Sequence, residues 1–433
     1  MIDVLKEIIL DFQDLELETG VPRRVAVTPV AGKATVCIGV RRGGKSTFMF
    51  QFMQQLMDSG VSRQNILYLN FFDDRLHGLR HDGPGVIMEA YFSLFPEKKN
   101  TEKIYCFFDE IQVIPNWEPF IDRVMRTEKC EVFITGSSAQ MLSREIATQM
   151  RGRALSWELF PFSFREFLDA RGVPGDGPLS TKKRLLIQKA FEDYWETGGF
   201  PEVIGLDRMP RIKIHQEYFN ATLFRDLVER HDISYPRAVA DLAHRLVDNV
   251  ASLYSVNKLF GHLKSLGHKV PKPAVSDFLS WFEDAYVLFT VRIFDASLAR
   301  ANANPKKIYC IDHALVTSVS SGILLNSGHL LENVVFTALR GITSDIFYFK
   351  SQKGREVDFI ARMPDRSRML IQVCESMADQ KTRKREIAAL VDAMTELNLA
   401  TAVIVTRGEE EQIKVESGMI DILPVWRFLL NIL

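Results

Sequence analysis

Residues 39 to 46 hold the feature that most constrains what this chain can fold into. They read GVRRGGKS, which fits the pattern G-x-x-x-x-G-K-[ST] in full. A β-branched run at 35–38 precedes the pattern and a helix-like stretch from Ser46 follows it, which is the context of a phosphate-binding loop. Glycines let backbone N–H groups turn toward phosphate oxygens, and the start of the helix adds partial positive charge. The alternative is an ordinary glycine-rich turn.

The residue types in this loop predict which of them contact the nucleotide and which bind Mg²⁺. Lys45 is expected to reach the β- and γ-phosphates of ATP, and the Ser46 hydroxyl is expected to bind Mg²⁺. The side chains of Arg41 and Arg42 are expected to face away, because the backbone holds the phosphates. The predicted nucleotide-binding residues are Gly39, Arg42, Gly43, Gly44, Lys45, Ser46 and Thr47.

A second motif ends an apolar strand at 104–108 with the two acids Asp109 and Glu110. Adjacent carboxylates repel each other, so the pair is costly unless a cation lies nearby. We expect Asp109 to hold Mg²⁺, largely through water, and Glu110 to polarise the attacking water as a general base. A solvated strand end is the alternative.

Polar and basic residues after the fourth strand are further candidates for catalysis. Ser137 or Ser138 could place the attacking water beside the γ-phosphate, or could instead cap the next helix. Arg151 and Arg153 could each reach the γ-phosphate of a neighbouring subunit and stabilise transition-state charge. A surface salt bridge or a contact within the chain explains these arginines equally well.

Continuous apolar strands alternate with helical stretches over the first third of the chain. Such strands, at 35–38, 66–71, 104–108, 132–135 and 154–159, predict a parallel sheet covered by helices on both faces. The fold class is therefore α/β, with a P-loop ATPase core over 1–165. Helical spacing then predicts a lid over 166–236.

Three helix-sized blocks at 238–253, 255–266 and 272–288 precede a strand-like stretch at 288–294. This pattern favours a winged helix over 237–300, although three helices also describe other modules. The remaining residues, 301–433, mix helices with strands at 346–350, 356–362, 369–373 and 401–406 and predict a further α/β domain.

Charge and apolar content exclude several classes of protein. The 433 residues carry a net charge of -1, so a nucleic-acid partner would have to meet a local basic patch. Such patches occur at 182–184, 306–307 and 381–385. Apolar runs stay well short of the eighteen residues that a membrane-spanning helix needs, so no membrane role is expected. The start lacks the pattern of a secretory signal, and the five dispersed cysteines indicate reduced thiols in the cytoplasm.

The motifs taken together resemble a large prokaryotic family of AAA-type ATPases with a C-terminal domain of unknown function. The resemblance covers residues 34–373 and rests on GVRRGGKST, FFDEIQ, FITGSSAQMLS, RGRALSWELFPFSFREFL and GGFPEV, followed by FRD, KIYCID, LEN and GREVDF. It implies ATP binding and hydrolysis, with a lid and a winged helix after the ATPase core.

The C-terminal part of that family resembles PD-(D/E)XK nucleases. Those enzymes need a helix Glu, a strand Asp, and then E-x-K or Q-x-K on the next strand, with the acids binding Mg²⁺. Here Glu332, Asp358 and Gln372 match the pattern, but Cys374 stands where the lysine should be. A thiol cannot replace a fixed positive charge beside a phosphate. The resemblance therefore implies a degenerate nuclease fold kept for binding.

Two alternatives to the degenerate site stay open. Lys350, Lys353 or Lys381 could supply a migrated charge and restore cleavage. Glu332 and Asp358 could also be ordinary surface charges.

The leading functional hypothesis is a motor that hydrolyses ATP, assembles into a hexamer or another ring, and binds DNA in order to move along it or remodel it. Branched or junction DNA would suit a nuclease-like domain that does not cleave. The first alternative is a nucleotide-dependent switch or scaffold that acts on a protein partner. The second is an ATP-fuelled, Mg²⁺-dependent DNA nuclease.

Overall fold

The computed structural model describes residues 1–136, 150, 152–303, 305–322 and 326–432. The chain divides into two compact units, Met1–Phe160 and Pro161–Leu433. The predicted boundary between the ATPase core and the helical segment, at 165, lies a few residues beyond this division. Each unit is described separately below.

The first unit alternates helices with strands. Its helices are α1 Ile2–Asp14, α2 Lys45–Asp58, α3 Leu79–Asp82, α4 Ile87–Leu94 and α5 Trp117–Thr127. Its strands are β1 Ala34–Ile38, β2 Ile66–Asn70, β3 Ile104–Asp109, β4 Cys130–Gly136 and β5 Ala154–Glu158. Short 3-10 turns lie at Arg63–Asn65, Asp74–Leu76, Pro84–Val86, Pro96–Lys98 and Ile111–Val113.

The described strands of this unit form a fully parallel sheet in the order β2-β3-β4-β1-β5. All five residues of β1 are buried, and β3 and β4 are buried over most of their length, because helices cover both faces. Strand β4 lies between β1, which leads into the glycine-rich loop, and β3, which ends in Asp109. The carboxyl ends of these three strands therefore meet at one edge of the sheet.

Helices α1 and α2 pack on one face of this sheet. Their buried apolar cluster consists of Phe12, Met49, Met53, Ile66, Phe107 and Phe133. The rings of Phe107 and Phe133, on neighbouring strands, stack with their centroids 4.4 Å apart. Arg63 donates to the carbonyl oxygen of Phe12 at 2.9 Å and so holds the end of α1.

The second unit begins with helices and ends in a mixed sheet. The helices are α6 Phe164–Ala170, α7 Thr181–Thr197, α8 Arg208–Ala221, α9 Pro236–Val247, α10 Val256–Ser265, α11 Lys272–Asp284, α12 Leu298–Ala303, α13 His313–Val319, α14 Ser327–Arg340, α15 Gln380–Leu397 and α16 Val425–Asn431. A π-helical segment, Thr222–Glu229, continues α8, and a 3-10 turn lies at Pro201–Val203.

The strands of this unit are β6 Leu253–Tyr254, β7 Leu288–Ile293, β8 Lys306–Cys310, β9 Ile346–Lys350, β10 Glu356–Arg362, β11 Arg368–Val373, β12 Thr401–Thr406, β13 Glu411–Val415 and β14 Gly418–Pro424. Within the described part of the chain they form one sheet in the order β13-β14-β12-β11-β10-β9-β7-β8-β6. Strand β7 pairs with β8 antiparallel and with β9 parallel. The predicted division at 300/301 therefore falls inside a continuous sheet.

The glycine motif at 198–199 packs closely against Asp312. The backbone N–H of Gly199 donates to Asp312 Oδ2 at 2.7 Å, and a Cβ at Gly198 would lie 2.3 Å from Asp312 Oδ1. Gly198 also has a φ of 76°, which glycine adopts without strain. Asp312 in turn caps α13 by accepting from the backbone N–H of Ala314. One carboxylate thus joins the end of α7 to the start of α13.

The architecture confirms the predicted fold class, with a parallel P-loop sheet followed by a C-terminal α/β domain. The predicted strands at 346–350, 356–362 and 401–406 have the observed bounds. Helix α8 starts at Arg208, and the chain becomes π-helical at Thr222. No helix among the described residues has both the length and the apolar content to cross a membrane.

Candidate functional site

The glycine-rich loop joins β1 to α2 at the carboxyl edge of the first sheet. Gly44 precedes the helix with φ 91° and ψ 25°, and Arg42 has a φ of 60°. A Cβ at Gly39 would lie 2.1 Å from the carbonyl oxygen of Leu159, so a larger residue there would displace backbone. These three positions fix the turn that leads the chain from β1 into α2.

Lys45 is folded back onto this loop. Its side chain is 5% exposed, and Nζ donates to the carbonyl oxygens of Val40 at 3.0 Å and Gly39 at 3.2 Å. The same Nζ lies 4.0 Å from Glu110 Oε1. The lysine is therefore held between the loop and the second acid. Ser46 and Thr47 follow it, both half-buried, at the start of α2.

Asp109 is fully buried at the end of β3 and is held from three sides. The Thr135 hydroxyl donates to Oδ1, the Tyr68 hydroxyl donates to Oδ2 at 3.2 Å, and Ser46 also hydrogen-bonds the carboxylate. Burial raises the pKa of Asp109, and the bonds from Thr135 and Ser46 oppose this rise. A cation beside Asp109 and Ser46 would offset the burial penalty, so these oxygen donors suit Mg²⁺.

Glu110 adopts a left-handed backbone conformation with φ 57° and ψ 40°. Its backbone N–H donates to Thr135 Oγ1 at 3.1 Å, and the Gln112 side-chain amide donates to Glu110 Oε2. A non-glycine residue in this conformation carries strain that its surroundings must hold in place. Thr135 and Gln112 supply that restraint.

Sequence reasoning missed Tyr68, Thr135 and Gln112. Thr135 and Gln112 do lie in the quoted stretches FITGSSAQMLS and FFDEIQ, so their positions beside the acids were a usable signal. Tyr68 lies in an apolar strand, where nothing in the local sequence distinguishes it.

The remaining candidates of the ATPase core fall in two groups. Ser137, Ser138 and Arg151 lie outside the described residues. Arg153 is 45% exposed and pairs with Asp122 of the same chain at 2.6 Å. The arrangement at Arg153 therefore matches the predicted alternative of a salt bridge within the chain.

Arg23 is a further residue that the sequence did not single out. Its guanidinium donates to the carbonyl oxygen of Gly43 at 2.8 Å and to that of Phe160 at 2.7 Å. Its backbone N–H donates to Gln51 Oε1 at 3.1 Å, and Gln51 Nε2 donates to the carbonyl oxygens of Thr19 and Val21. The irregular segment before β1 is thereby fastened to the glycine-rich loop.

A second cluster of candidate residues lies in the C-terminal sheet. Glu332 on α14 and Asp358 on β10 are each 7% exposed, and both contact the ammonium of Lys307 on β8, at 2.9 Å and 2.8 Å. Burial and the Asp358 charge raise the pKa of Glu332 to about 7. The structure therefore brings the two predicted acids together and adds a lysine that sequence reasoning had counted among the basic surface patches.

Gln372 and Cys374 have separate environments at the end of β11. Gln372 Oε1 accepts from the backbone N–H of Asp358 at 3.2 Å, which places the glutamine beside the acids. Cys374 donates from Sγ to the carbonyl oxygen of Ser376, and burial raises the pKa of this thiol. Of the lysines proposed as migrated charges, Lys350 and Lys381 are exposed and Lys353 pairs with Asp392 at 2.9 Å.

Comparison with family models divides the chain into three parts. The family described as AAA domain matches residues 31–168, and a family described as domain of unknown function (DUF8612) matches residues 188–324. A second domain of unknown function (DUF4143) matches residues 327–428. The AAA match covers the sheet, the loop and the two acids described above, and confirms the predicted P-loop ATPase core.

Solved structures with partial similarity include the ORC1 protein of Aeropyrum pernix in complex with DNA. It is 13% identical, with a TM-score of 0.28, over 75% of this chain and 92% of that chain. Cdc6p from Pyrobaculum aerophilum is 11% identical, with a TM-score of 0.26, over 75% of this chain and 94% of that chain.

Two relatives match along most of their length. An uncharacterized protein of Haemophilus influenzae is 29% identical over 334 residues, which cover 76% of this chain and 80% of the relative. Uncharacterized protein MJ1544 of Methanocaldococcus jannaschii is 32% identical over 439 residues, covering 99% of this chain and 95% of that protein. The chain therefore belongs to the protein family of MJ1544, and its residues 31–168 form an AAA domain.

Proposed function

We propose that this chain is an ATP-hydrolysing AAA+ type motor that binds DNA and remodels or translocates on it. The observation that carries the ATPase part is the convergence of Lys45, Ser46, Asp109 and Glu110 at one edge of a parallel sheet. Two of these residues follow a loop that can cradle phosphate, and the other two are acids on a strand two places away.

The proposed roles follow from the contacts of each side chain. The backbone of Gly39, Gly43 and Gly44, with Thr47 at the first turn of α2, would surround the phosphates. Lys45 would leave the carbonyl oxygens of the loop and bind the β- and γ-phosphate oxygens. Mg²⁺, held by Ser46 and Asp109, would neutralise phosphate charge. Glu110, oriented by Gln112, would accept a proton from the attacking water.

The ATPase part is tested by separating binding from turnover. Lys45→Ala should abolish nucleotide binding, because it removes the ammonium that meets the phosphates. Glu110→Gln should bind ATP and hydrolyse it about 10²- to 10⁴-fold more slowly, because the amide cannot act as a base. Nucleotide affinity by calorimetry and phosphate release are the measurements. Normal hydrolysis by Glu110→Gln would show that another residue polarises the water.

The DNA part of the proposal rests on the second unit. Helix α14, strands β9 to β11, helix α15 and strand β12 follow in the chain order expected for a nuclease-like domain, with Glu332, Asp358 and Gln372 side by side. Three helices, α9 to α11, followed by the antiparallel pair β7–β8 support the winged-helix prediction. We propose that this domain binds branched or junction DNA without cleaving it.

A panel of duplex, single-stranded and four-way junction DNA tests this part. At low salt, at least one DNA should raise the ATPase rate of the wild type and bind in a gel shift, and the junction should do so most. The Lys45→Ala variant controls for effects on the second unit, since it should still bind DNA. If no DNA binds or stimulates, the proposal of a DNA motor fails while the ATPase assignment stands.

One observation favours the alternative of a nucleotide-dependent switch with a protein partner. Several basic side chains of the second unit, including one in the patch 381–385, are paired with acids of the same unit. Lys353 and Arg355 share Asp392, at 2.9 Å and 2.8 Å, and Arg383 pairs with Glu411 at 2.7 Å. Such a surface attracts nucleic acid less than unpaired charges would. ATP turnover that is slow, is accompanied by a change of oligomeric state and is not stimulated by DNA would favour this alternative.

A further inference from the structure

Lys307 lies at the centre of the acidic cluster in the C-terminal sheet. Its ammonium contacts three carboxylates: Glu332 Oε1 at 2.9 Å, Glu356 Oε1 at 2.9 Å and Asp358 Oδ1 at 2.8 Å. It donates hydrogen bonds to Glu332 and Asp358 and forms an ion pair with Glu356. The side chain is 4% exposed, so these contacts take the place of water around the ammonium.

The two predicted acids of the nuclease-like site are committed in the same way. Asp358 uses Oδ1 for Lys307 and accepts from the backbone N–H of Val373 through Oδ2, at 2.9 Å. Glu332 Oε1 accepts from Lys307 and also from the Tyr309 hydroxyl, at 2.6 Å. A divalent metal between Glu332 and Asp358 would have to take the space between Glu332 Oε1 and Asp358 Oδ1 that the ammonium of Lys307 fills.

The metal that the nuclease resemblance implies therefore does not fit this site. Across the described ranges, no group of three or more His, Cys, Asp or Glu side chains is arranged to hold a metal ion. Displacing Lys307 would also leave a buried ammonium without a partner, which costs far more than the ion pairs themselves contribute. Metal binding at these acids would therefore require Lys307 to leave the acids and its ammonium to stay buried without a partner.

We infer that Lys307 is a built-in cation that takes the place of a divalent metal between Glu332, Glu356 and Asp358. The cluster is a metal-independent ion-pair site that joins β8, α14 and β10. This inference deepens the part of the proposed function that treats the nuclease-like domain as inactive in cleavage, and it rests on that part. It also implies that a latent metal site lies under the lysine.

The charges of Lys307 and of the carboxylates around it support this inference. Burial works against the charge on Lys307, but the carboxylates of Asp358 and Glu332 raise its pKa well above the ordinary value. The lysine therefore stays charged at neutral pH. Without it, the buried carboxylates of Glu332 and Asp358 and the partly exposed carboxylate of Glu356 would face one another and repel, which is the condition under which proteins bind Mn²⁺ or Ca²⁺.

The experiment compares Mn²⁺ responses of the full chain without nucleotide. The thermal unfolding midpoint of the wild type should be the same in Mn²⁺ and in EDTA. Lys307→Ala should have a lower midpoint in EDTA, and Mn²⁺ should raise it by several degrees. The double variant Lys307→Ala with Asp358→Asn should lose this Mn²⁺ response. Lys306→Ala, on the same strand, is the matched control and should behave like the wild type.

Two results would overturn the inference. One is wild-type Mn²⁺ binding, measured by electron paramagnetic resonance, that disappears in Asp358→Asn, since the acids would then hold metal beside the lysine. The other is a folded Lys307→Ala variant without a Mn²⁺ response. If Lys307→Ala does not fold, the inference is still tested by comparing Mn²⁺ binding to the wild type and to Asp358→Asn by electron paramagnetic resonance. Mg²⁺-dependent nicking of DNA by the wild type would instead contradict the proposed function.

Discussion

At the scale of single residues, the two acids of the ATPase core differ in how they are held. Asp109 accepts from Thr135, Tyr68 and Ser46, while Glu110 depends on Gln112 and on the backbone bond to Thr135. Thr135 thus contacts both acids with one hydroxyl group. The Glu110 carboxylate accepts from the amide of Gln112 at Oε2 and lies 4.0 Å from Lys45 Nζ at Oε1.

Replacing Gln112 therefore tests how much of catalysis depends on orientation. Gln112→Ala should lower kcat for ATP about 10-fold or more and leave KM nearly unchanged, because a misaligned base slows proton transfer without touching the phosphates. Steady-state kinetics measure both constants. Gln54→Ala removes an exposed glutamine of α2 that pairs with Asp58 and is the matched control. A wild-type kcat in Gln112→Ala would assign the orientation of Glu110 to its backbone.

The residues of the ATPase core were predictable because their spacing is local. The loop pattern spans eight consecutive residues, and Asp109 and Glu110 are adjacent at the end of a continuous apolar strand. Lys307 was not predictable, because it precedes Glu332 by 25 residues and Asp358 by 51. Beside Lys306 it has the pattern of a solvated pair, and only the order of strands in the sheet brings it between the acids.

At the scale of elements, helix α13 meets helices α8 and α7 through buried histidines. His215 Nδ1 lies 3.1 Å from the Ser318 hydroxyl, and His313 Nε2 donates to the carbonyl oxygen of Tyr194 at 3.0 Å. Burial lowers the pKa of both histidines, and the neighbouring Asp312 opposes this in each case. Both rings are therefore neutral in the folded protein at neutral pH.

This burial predicts a loss of stability in mild acid. The histidines of the unfolded chain take up protons as the pH falls below about 6.5, while those of the folded protein resist protonation. Protonation therefore stabilises the unfolded state relative to the folded state. The urea midpoint of the wild type should fall between pH 7.5 and pH 5.5, and His313→Gln should show a smaller fall. The exposed His81, replaced by Gln, is the control. An equal fall in His313→Gln would assign the acid sensitivity to other groups.

The strands at 346–350, 356–362 and 401–406 were predicted with the observed bounds, and those of the first sheet with bounds within two residues of the observed ones. Strands β13 and β14 and helix α16 occupy the last stretch of the chain and had not been predicted. Strand β13 is mostly exposed at the edge of the sheet, so it lacks a buried face that would give it an alternating pattern. The π-helical segment after α8 likewise has no signature in sequence spacing.

At the scale of the whole molecule, the proposed ring makes a prediction about Arg153. In the chain this arginine pairs with Asp122, an exposed pair that contributes about 0–1 kcal/mol to stability. The ion pair between Arg153 and Asp122 can therefore break with little loss of folding free energy. If Arg153 meets the γ-phosphate of a neighbouring subunit, hydrolysis requires a partner, whereas ATP binding does not.

Mixed assemblies test that arrangement. Arg153→Ala should bind ATP but hydrolyse it about 10³-fold or more slowly, and mixing it with Lys45→Ala should restore part of the activity, because each variant supplies what the other lacks. Asp122→Asn breaks the same ion pair but keeps the arginine, and it should stay active. Native mass with a non-hydrolysable ATP analogue reports the assembly. Equal loss in Arg153→Ala and Asp122→Asn would mean that the ion pair itself matters.

The bonds of Arg23 and the tight contact of Gly39 have a mechanical consequence. Gly39 leaves no space against the Leu159 carbonyl, and Arg23 binds Gly43 and Phe160 with one guanidinium. Leu159 and Phe160 are the last residues of the first unit, and the chain enters the second unit at Pro161. The glycine-rich loop is therefore tied to the last two residues of the first unit. A change of the loop on nucleotide exchange would have to break these bonds or move Leu159 and Phe160 with it.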